Sequence, residues 1–148
     1  MDIRIKKVHE SSKMPVRAHA TDAGMDLFYC PEEPKTVWVA PGQNLLLGTG
    51  LQIEVPEGYM LEIKNKGGIA AKQNLLVGAC VVDRGFTGEI FVDIHNVGER
   101  TKAFSPGDKI AQGVFVKVEY NTNFIQSGAI YDEDTTRGSG SLGSTGTK

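Results

Sequence analysis

Apolar and polar residues alternate with a period of two along much of the chain. Ile90, Val92 and Ile94 alternate with Glu89, Phe91, Asp93 and His95. Leu61 and Ile63 alternate with Glu62 and Lys64, and Ile3 and Ile5 do the same near the start. Towards the other end, Val114, Val116 and Val118 alternate with Phe115, Lys117 and Glu119. Successive side chains of a strand point to opposite faces, so this spacing predicts short strands with one face in a core and one in water.

Turn chemistry separates these segments. Pro41-Gly42 precedes a strand at 45–49. Pro56-Glu57-Gly58 lies between 51–55 and 59–63, which reads as a hairpin. Residues 84–88 join 80–83 to 89–95, and Pro106-Gly107-Asp108 leads into 109–120. About ten short strands predict an antiparallel all-β domain, built as a sandwich, jelly roll or barrel. Helix is expected only at 69–73, after Gly67-Gly68. No internal repeat interrupts this pattern.

The pattern stops near residue 131. Between Arg137 and Lys148 the chain is Gly, Ser and Thr with a single Leu, and it has almost no apolar material from which to build a core. The chain therefore divides into a β-rich domain at 1–131 and a flexible C-terminal tail at 132–148. The tail is either a solvated end or a segment ordered by ligand. Its backbone N–H groups, hydroxyls and the Arg137 guanidinium suit a polyphosphate. It is not a Walker A loop, because Gly146-Thr147-Lys148 has the wrong order and no helix follows.

Composition narrows the function. The 148 residues fit one domain. Glycine is high at 18, without the period of three of collagen, so turns and close backbone approaches are frequent. The formal charge of −2 gives no reason to expect nucleic acid as a partner. No apolar run is long enough to span a membrane, and the N-terminus lacks a signal-peptide core. Cys30 and Cys80 form neither a disulfide framework nor a zinc spacing, so a reduced cytoplasmic setting is expected, in a bacterium or a phage-infected cell.

Candidate chemistry lies in a few places. His9, His19 and His95 share no metal-ligand spacing, and no nucleophile elbow is present. Asp83 ends the apolar run 75–82 and is expected to be partly desolvated there, with raised basicity, as a general base for water. Read alone, it is more often a turn aspartate. Asp26 is a loop acid that either fixes a turn or reaches a magnesium-bound water. Lys64, Lys66 and Lys72 surround Gly67-Gly68, as an exposed lysine face or as an anion site before a short helix.

In order, these segments resemble the homotrimeric dUTPase family. Ala20-Thr21-Asp22-Ala23-Gly24-Met25-Asp26-Leu27 is similar to the first motif, A-x-x-x-A-G-x-D-L. Lys66-Gly67-Gly68-Ile69-Ala70 stands in the place of the second, R-S-[SG]-[LIV]-A. The stretch from Gly78 to Glu89 resembles the third, G-x-I-D-x-[DG]-Y-x-G-E, and that from Phe104 to Gln112 the fourth, F-x-x-G-D-[RK]-I-A-Q. The stretch from Arg137 to Gly146 resembles the fifth, R-G-x-G-G-F-G-S-T-G.

The resemblance implies a jelly-roll or distorted β-barrel with one short helix, working as a homotrimer with active sites shared between subunits. It implies hydrolysis of dUTP to dUMP and pyrophosphate with Mg²⁺. By the same resemblance, Asp83 activates the water that attacks the α-phosphorus, and Asp26 holds the metal through water. Lys66, Gly67, Gly68 and Gln112 meet the phosphates. Phe86 lies under the deoxyribose, and a hairpin around 81–91, including Val81, Val82 and Phe91, reads uracil through its main chain. Arg137, Leu142, Gly143, Ser144 and Thr145 close over the nucleotide. The alternatives are a regulatory nucleotide-binding protein of the same fold with weak or no catalysis, and a dCTP deaminase-related enzyme.

The departures from the motifs are specific. Lys66 replaces an arginine, which keeps the charge and loses the bidentate fork. Gly67 stands where the family has serine; one lost transition-state hydrogen bond costs about 2.7–4 kcal/mol. Phe86 replaces tyrosine, Ser141 a glycine, and Leu142 a phenylalanine.

Overall fold

The alternating segments become eleven strands and one helix in the computed structural model, which describes residues 1–141 and 145–146. Leu142, Gly143 and Ser144 lie outside the described residues. The strands are β1 (Ile5–Lys7), β2 (Met25–Phe28), β3 (Val37–Val39), β4 (Asn44–Gly48), β5 (Leu51–Ile53) and β6 (Tyr59–Lys64). Helix α1 (Gly67–Gln73) follows, then β7 (Leu75–Val77), β8 (Val81–Val82), β9 (Phe91–Asn96), β10 (Lys102–Phe104) and β11 (Lys109–Lys117).

Every ladder between these strands is antiparallel. The largest sheet has the order β2-β11-β6-β8, and a second has the order β4-β9-β7. Two strand pairs, β1-β5 and β10-β3, complete the all-β, jelly-roll-type architecture. The core takes one side chain in two from the main strands. Leu61 and Ile63 of β6, Val92 and Ile94 of β9, and Leu27 of β2 are all at most 2% exposed. Burying each such side chain contributes about 1.5–3 kcal/mol, and this term outweighs any intrinsic strand propensity.

Three expectations are corrected. Segments 51–55 and 59–63 do not form a hairpin: β5 pairs with β1, whereas β6 pairs with β11 and β8. The turn at Pro56–Gly58 passes the chain from one sheet to another. Similarly, β8 and β9 lie in different sheets, so no ladder closes a hairpin around 81–91. The third concerns β11, where Phe115 packs on the core while Val114 and Val116 face the other way, only half-buried. Three alternating valines specify a face but not which side of it the core lies on, and the bulge described next decides that.

The bulge lies between Lys109 and Ala111 in the ladder with β2. Lys109 pairs with Phe28 and Ala111 with Leu27, so Ile110 is the additional residue. Ile110 and Ala111 are consecutive yet both buried, at 1% and 0% exposure. One inserted residue resets the alternation from that point onward.

Helix α1 has no buried residue and ends on Asn74 in the left-handed region (φ 55°). It starts at the two glycines, each about 1 kcal/mol less favourable in a helix than alanine, so its brevity is expected. Beyond β11 the described residues form no further strand. Phe124, Ile125, Ile130 and Tyr131 are exposed there, by 66% or more.

Candidate functional site

The motif residues gather in two clusters. The first is centred on Asp26, whose side chain is 8% exposed. Asp26 pairs across β2 and β11 with Gln112, and Gln112 pairs across β11 and β6 with Lys64. One carboxylate oxygen of Asp26 accepts from the Lys66 ammonium, and the other lies 2.7 Å from Lys109 Nζ. Burial pushes the Asp26 carboxyl up, but the Lys109 and Lys66 ammonium groups outweigh it and hold the group below the usual carboxylate range. The Gln112 amide donates to the Asn65 carbonyl at 2.8 Å, and its side chain lies over Gly24, where a Cβ would overlap it.

Gly24, Asp26, Lys66 and Gln112, named from three separate motifs, thus stand together. Lys66 is placed by its position at the N-cap of α1, with Gly67 and Gly68 opening the helix behind it. Asn65 is held in turn, because its side-chain oxygen accepts the Val77 N–H at 2.7 Å. Lys109 belongs to this cluster and is absent from the sequence-derived site. Its signal was present as the basic position of the fourth motif, but only the bulge carries it to Asp26.

The second cluster is a cavity of about 480 Å³ lined by Val81, Val82, Asp83, Phe86 and Phe91, together with Leu46, Glu89 and Asp93. Val81, Phe86, Phe91 and Leu46 are each about half exposed, an apolar concentration that marks a binding surface. The turn into it is specific. The Phe86 N–H donates to the Asp83 carbonyl at 3.2 Å, and Gly85 has φ 92°, which favours glycine. The Phe86 ring lies over Gly88, where a Cβ would overlap it. Glu89 is fixed by the Gly50 N–H at 2.8 Å. Asp83 is exposed, contrary to the desolvation expected of it. Strand β8 is two residues long, so the apolar run ends before the carboxylate and leaves it at the mouth of the cavity.

The clusters stay apart within one chain. Asp26 is on β2 and Val81 on β8, the opposite edges of a four-stranded sheet, about 14 Å apart at the usual strand spacing. Arg137 and Thr145 are exposed, and among the described residues neither forms a hydrogen bond or ion pair with either cluster.

The described side chains form no ready-made cage of direct ligands for a metal ion. Among the described residues no group of three or more His, Cys, Asp or Glu side chains comes together. Asp26, the acid expected to hold magnesium, has an ammonium group on each oxygen. Cys30 and Cys80 are both free thiols. Among the described residues no helix is long and apolar enough to cross a membrane.

Comparison with known proteins places this geometry. The sequence profile of the dUTPase family matches residues 10–146. The deoxyuridine 5'-triphosphate nucleotidohydrolase of Chlamydia trachomatis serovar L2 is 34% identical over 142 residues, covering 95% of each chain. The dUTPase of Staphylococcus bacteriophage 80alpha, solved with dUPNHPP, superposes with a TM-score of 0.86 at 23% identity, over 98% of both chains. A mutant dUTPase of phage phi11 of S. aureus, which coordinates a structural Mg(II) ion, gives 0.78 at 23% identity, over 88% of this chain and 99% of that one.

Proposed function

Because the chain belongs to the dUTPase family, we propose that it hydrolyses dUTP to dUMP and pyrophosphate, with the two clusters serving the two ends of the nucleotide. One observation carries the division of labour. The cavity of the third motif has apolar walls with a carboxylate at its mouth, whereas the Asp26 cluster presents two ammonium groups. A base and sugar suit the first and a triphosphate suits the second.

In this reading uracil and deoxyribose enter between Val81, Val82, Phe86 and Phe91, with the Phe86 ring under the sugar. Lys66, Lys109 and Gln112 hold the phosphates, beside the start of α1 at Gly67-Gly68. Asp83 positions a water and takes its proton as the water oxygen bonds to the α-phosphorus. The bond from that phosphorus to the bridging oxygen breaks, and pyrophosphate leaves with the electron pair. Magnesium is part of the substrate here, arriving on the triphosphate. Asp26 fixes the two ammonium groups that meet it.

Separation of the clusters supports a site completed between chains, as does the exposed apolar segment carrying Phe124, Ile125, Ile130 and Tyr131. A homotrimer with shared active sites accounts for both. The tail at 132–148, with Arg137, Leu142, Gly143, Ser144 and Thr145, closes over the outer phosphates. The enzyme works in the cytoplasm of a bacterium or a phage-infected cell, where its thiols stay reduced.

The test is a panel of dUTP, dCTP, dTTP and UTP, each with and without Mg²⁺, followed by pyrophosphate and ammonia release. Pyrophosphate from dUTP alone is expected. Absence of dUTP turnover at millimolar Mg²⁺ would overturn the reading. Sedimentation of the purified protein as a monomer would remove the trimer.

A further inference from the structure

A polar network that the reaction above does not use stands against the back of the cavity. Asp93 and His95 lie on the outward face of β9, and Asn44 of β4 pairs directly with His95. One carboxylate oxygen of Asp93 accepts from the Asn44 amide at 2.8 Å, and the other lies 2.9 Å from His95 Nε2. The Asp93 side chain is 15% exposed and lines the cavity. Its carboxyl is held below the usual range, first by the Asn44 hydrogen bond and then, against burial, by His95.

This network grips one particular stretch of backbone. The Gly78 N–H donates to the Asp93 carbonyl at 2.8 Å, and a Cβ on Gly78 would overlap both Asp93 Oδ2 and His95 Nε2. The acid and the imidazole therefore rest on bare main chain between the end of β7 and the start of β8. The next residues along are Val81, Val82 and Asp83. Strand β8 has only two residues, and β6 holds this wall through two paired positions and one bond from the Ile63 N–H to the Cys80 carbonyl at 2.7 Å, which leaves 78–79 to the contacts of β9. A carboxylate with a partner on each oxygen is a stiff anchor, because releasing it leaves a mostly buried charge unsatisfied.

We propose that the Asp93–His95 pair, locked by Asn44, is a positioning device that holds residues 78–81 as the wall on which the nucleobase rests. This builds on the reading that the cavity takes the base. Charge-assisted bonds fix the main chain, and the main chain in turn presents its N–H and C=O groups to the base. Loss of the device therefore affects affinity for the base, while the phosphate contacts of the Asp26 cluster stay intact.

The experiment compares Gly78→Ala, Asp93→Asn, His95→Leu and His95→Gln with the parent protein. Gly78→Ala displaces the pair without removing either group. His95→Gln keeps an N–H donor for Asp93. Gly78→Ala and His95→Leu are expected to raise KM for dUTP about 10-fold while kcat stays within about twofold. Inhibition by inorganic triphosphate is expected to stay unchanged, and His95→Gln to restore most of the affinity. In the free protein, amide exchange at 79–81 is expected to quicken in Gly78→Ala, Asp93→Asn and His95→Leu. A lowered Tm with KM and local exchange unchanged would make the pair an ordinary stabilising contact and overturn the proposal. Equal loss of triphosphate inhibition would overturn it too. If the parent protein does not turn over dUTP, the proposed activity fails, while the exchange rates still decide whether the pair holds the wall.

Discussion

Lys109 and Gln112 are three residues apart in one strand, yet both stand beside the carboxylate of Asp26. Gln112 is its direct partner across the ladder, and the Lys109 ammonium is 2.7 Å from its oxygen. In a regular strand, residues three apart point to opposite faces. The bulge at Ile110 removes that opposition. It sends Ile110 and Ala111 into the core and leaves the lysine and the glutamine on the same side.

In the proposed reading this arrangement turns Lys109 towards the phosphates. Lys109→Ala is expected to raise KM for dUTP about 10-fold, with Lys109→Arg much milder because charge is retained. Initial rates over a range of dUTP concentrations check it. Asp26 also links the cluster to pH. Its folded carboxyl lies below the ordinary value, so its stabilising contribution is present above about pH 4 and is lost as pH falls further. Thermal melts of the parent protein should fall more steeply below that pH than those of Asp26→Asn, which starts lower.

Asp83 is exposed at the mouth of its cavity, so its removal should cost chemistry and little stability. Asp83→Asn is expected to lower kcat by about 10²–10⁴-fold, the usual worth of a general base. Calorimetry should show dUTP still binding, and the Tm should be unchanged.

Gly67 has open space around the position of a Cβ. A serine there fits without displacing anything, so Gly67→Ser is expected to raise kcat, by up to about 10²-fold if its hydroxyl meets the transition state. Pyrophosphate release under saturating dUTP measures it. An unchanged kcat would mean that this chain uses other donors.

Gly24 makes room for the Gln112 side chain. Gly24→Ala should push that amide off the Asn65 carbonyl and cost activity, although residue 24 is far in sequence from any phosphate contact. A drop in kcat/KM with a fall in Tm is expected, and Gln112→Ala in the same background should add little.

A separate pair sets acid behaviour at the sheet edge. The Arg4 guanidinium donates to both carboxylate oxygens of Glu54, at 2.9 and 2.8 Å, and holds the Glu54 carboxyl down to about 2. An unfolded glutamate titrates near about 4.3, so the pair's contribution is complete above that pH and is lost as pH falls towards 2. An NMR titration should find the Glu54 midpoint near 2, and Arg4→Ala should raise it towards the ordinary range, while the residue-4 N–H at 3.1 Å still holds it below the free value.

Alternation and turn residues were sufficient to predict an antiparallel all-β chain with one short helix. Leu61, Ile63, Val92 and Ile94 fall on the core face as their spacing requires. The resemblance of the ordered motifs named Asp26, Lys66, Asp83, Phe86 and Gln112 as candidates, and of these Asp26, Lys66 and Gln112 stand together in the fold, as do Asp83 and Phe86. Strand partnership was not legible. Pro56–Gly58 looks like a hairpin turn, but β5 and β6 leave it for different sheets, since pairing is settled by which faces bury most apolar surface together. Nor could spacing show that Lys109 joins Asp26, or that Asp93, His95 and Gly78 meet. Those contacts depend on one inserted residue and on register between distant strands, and only the folded chain decides either.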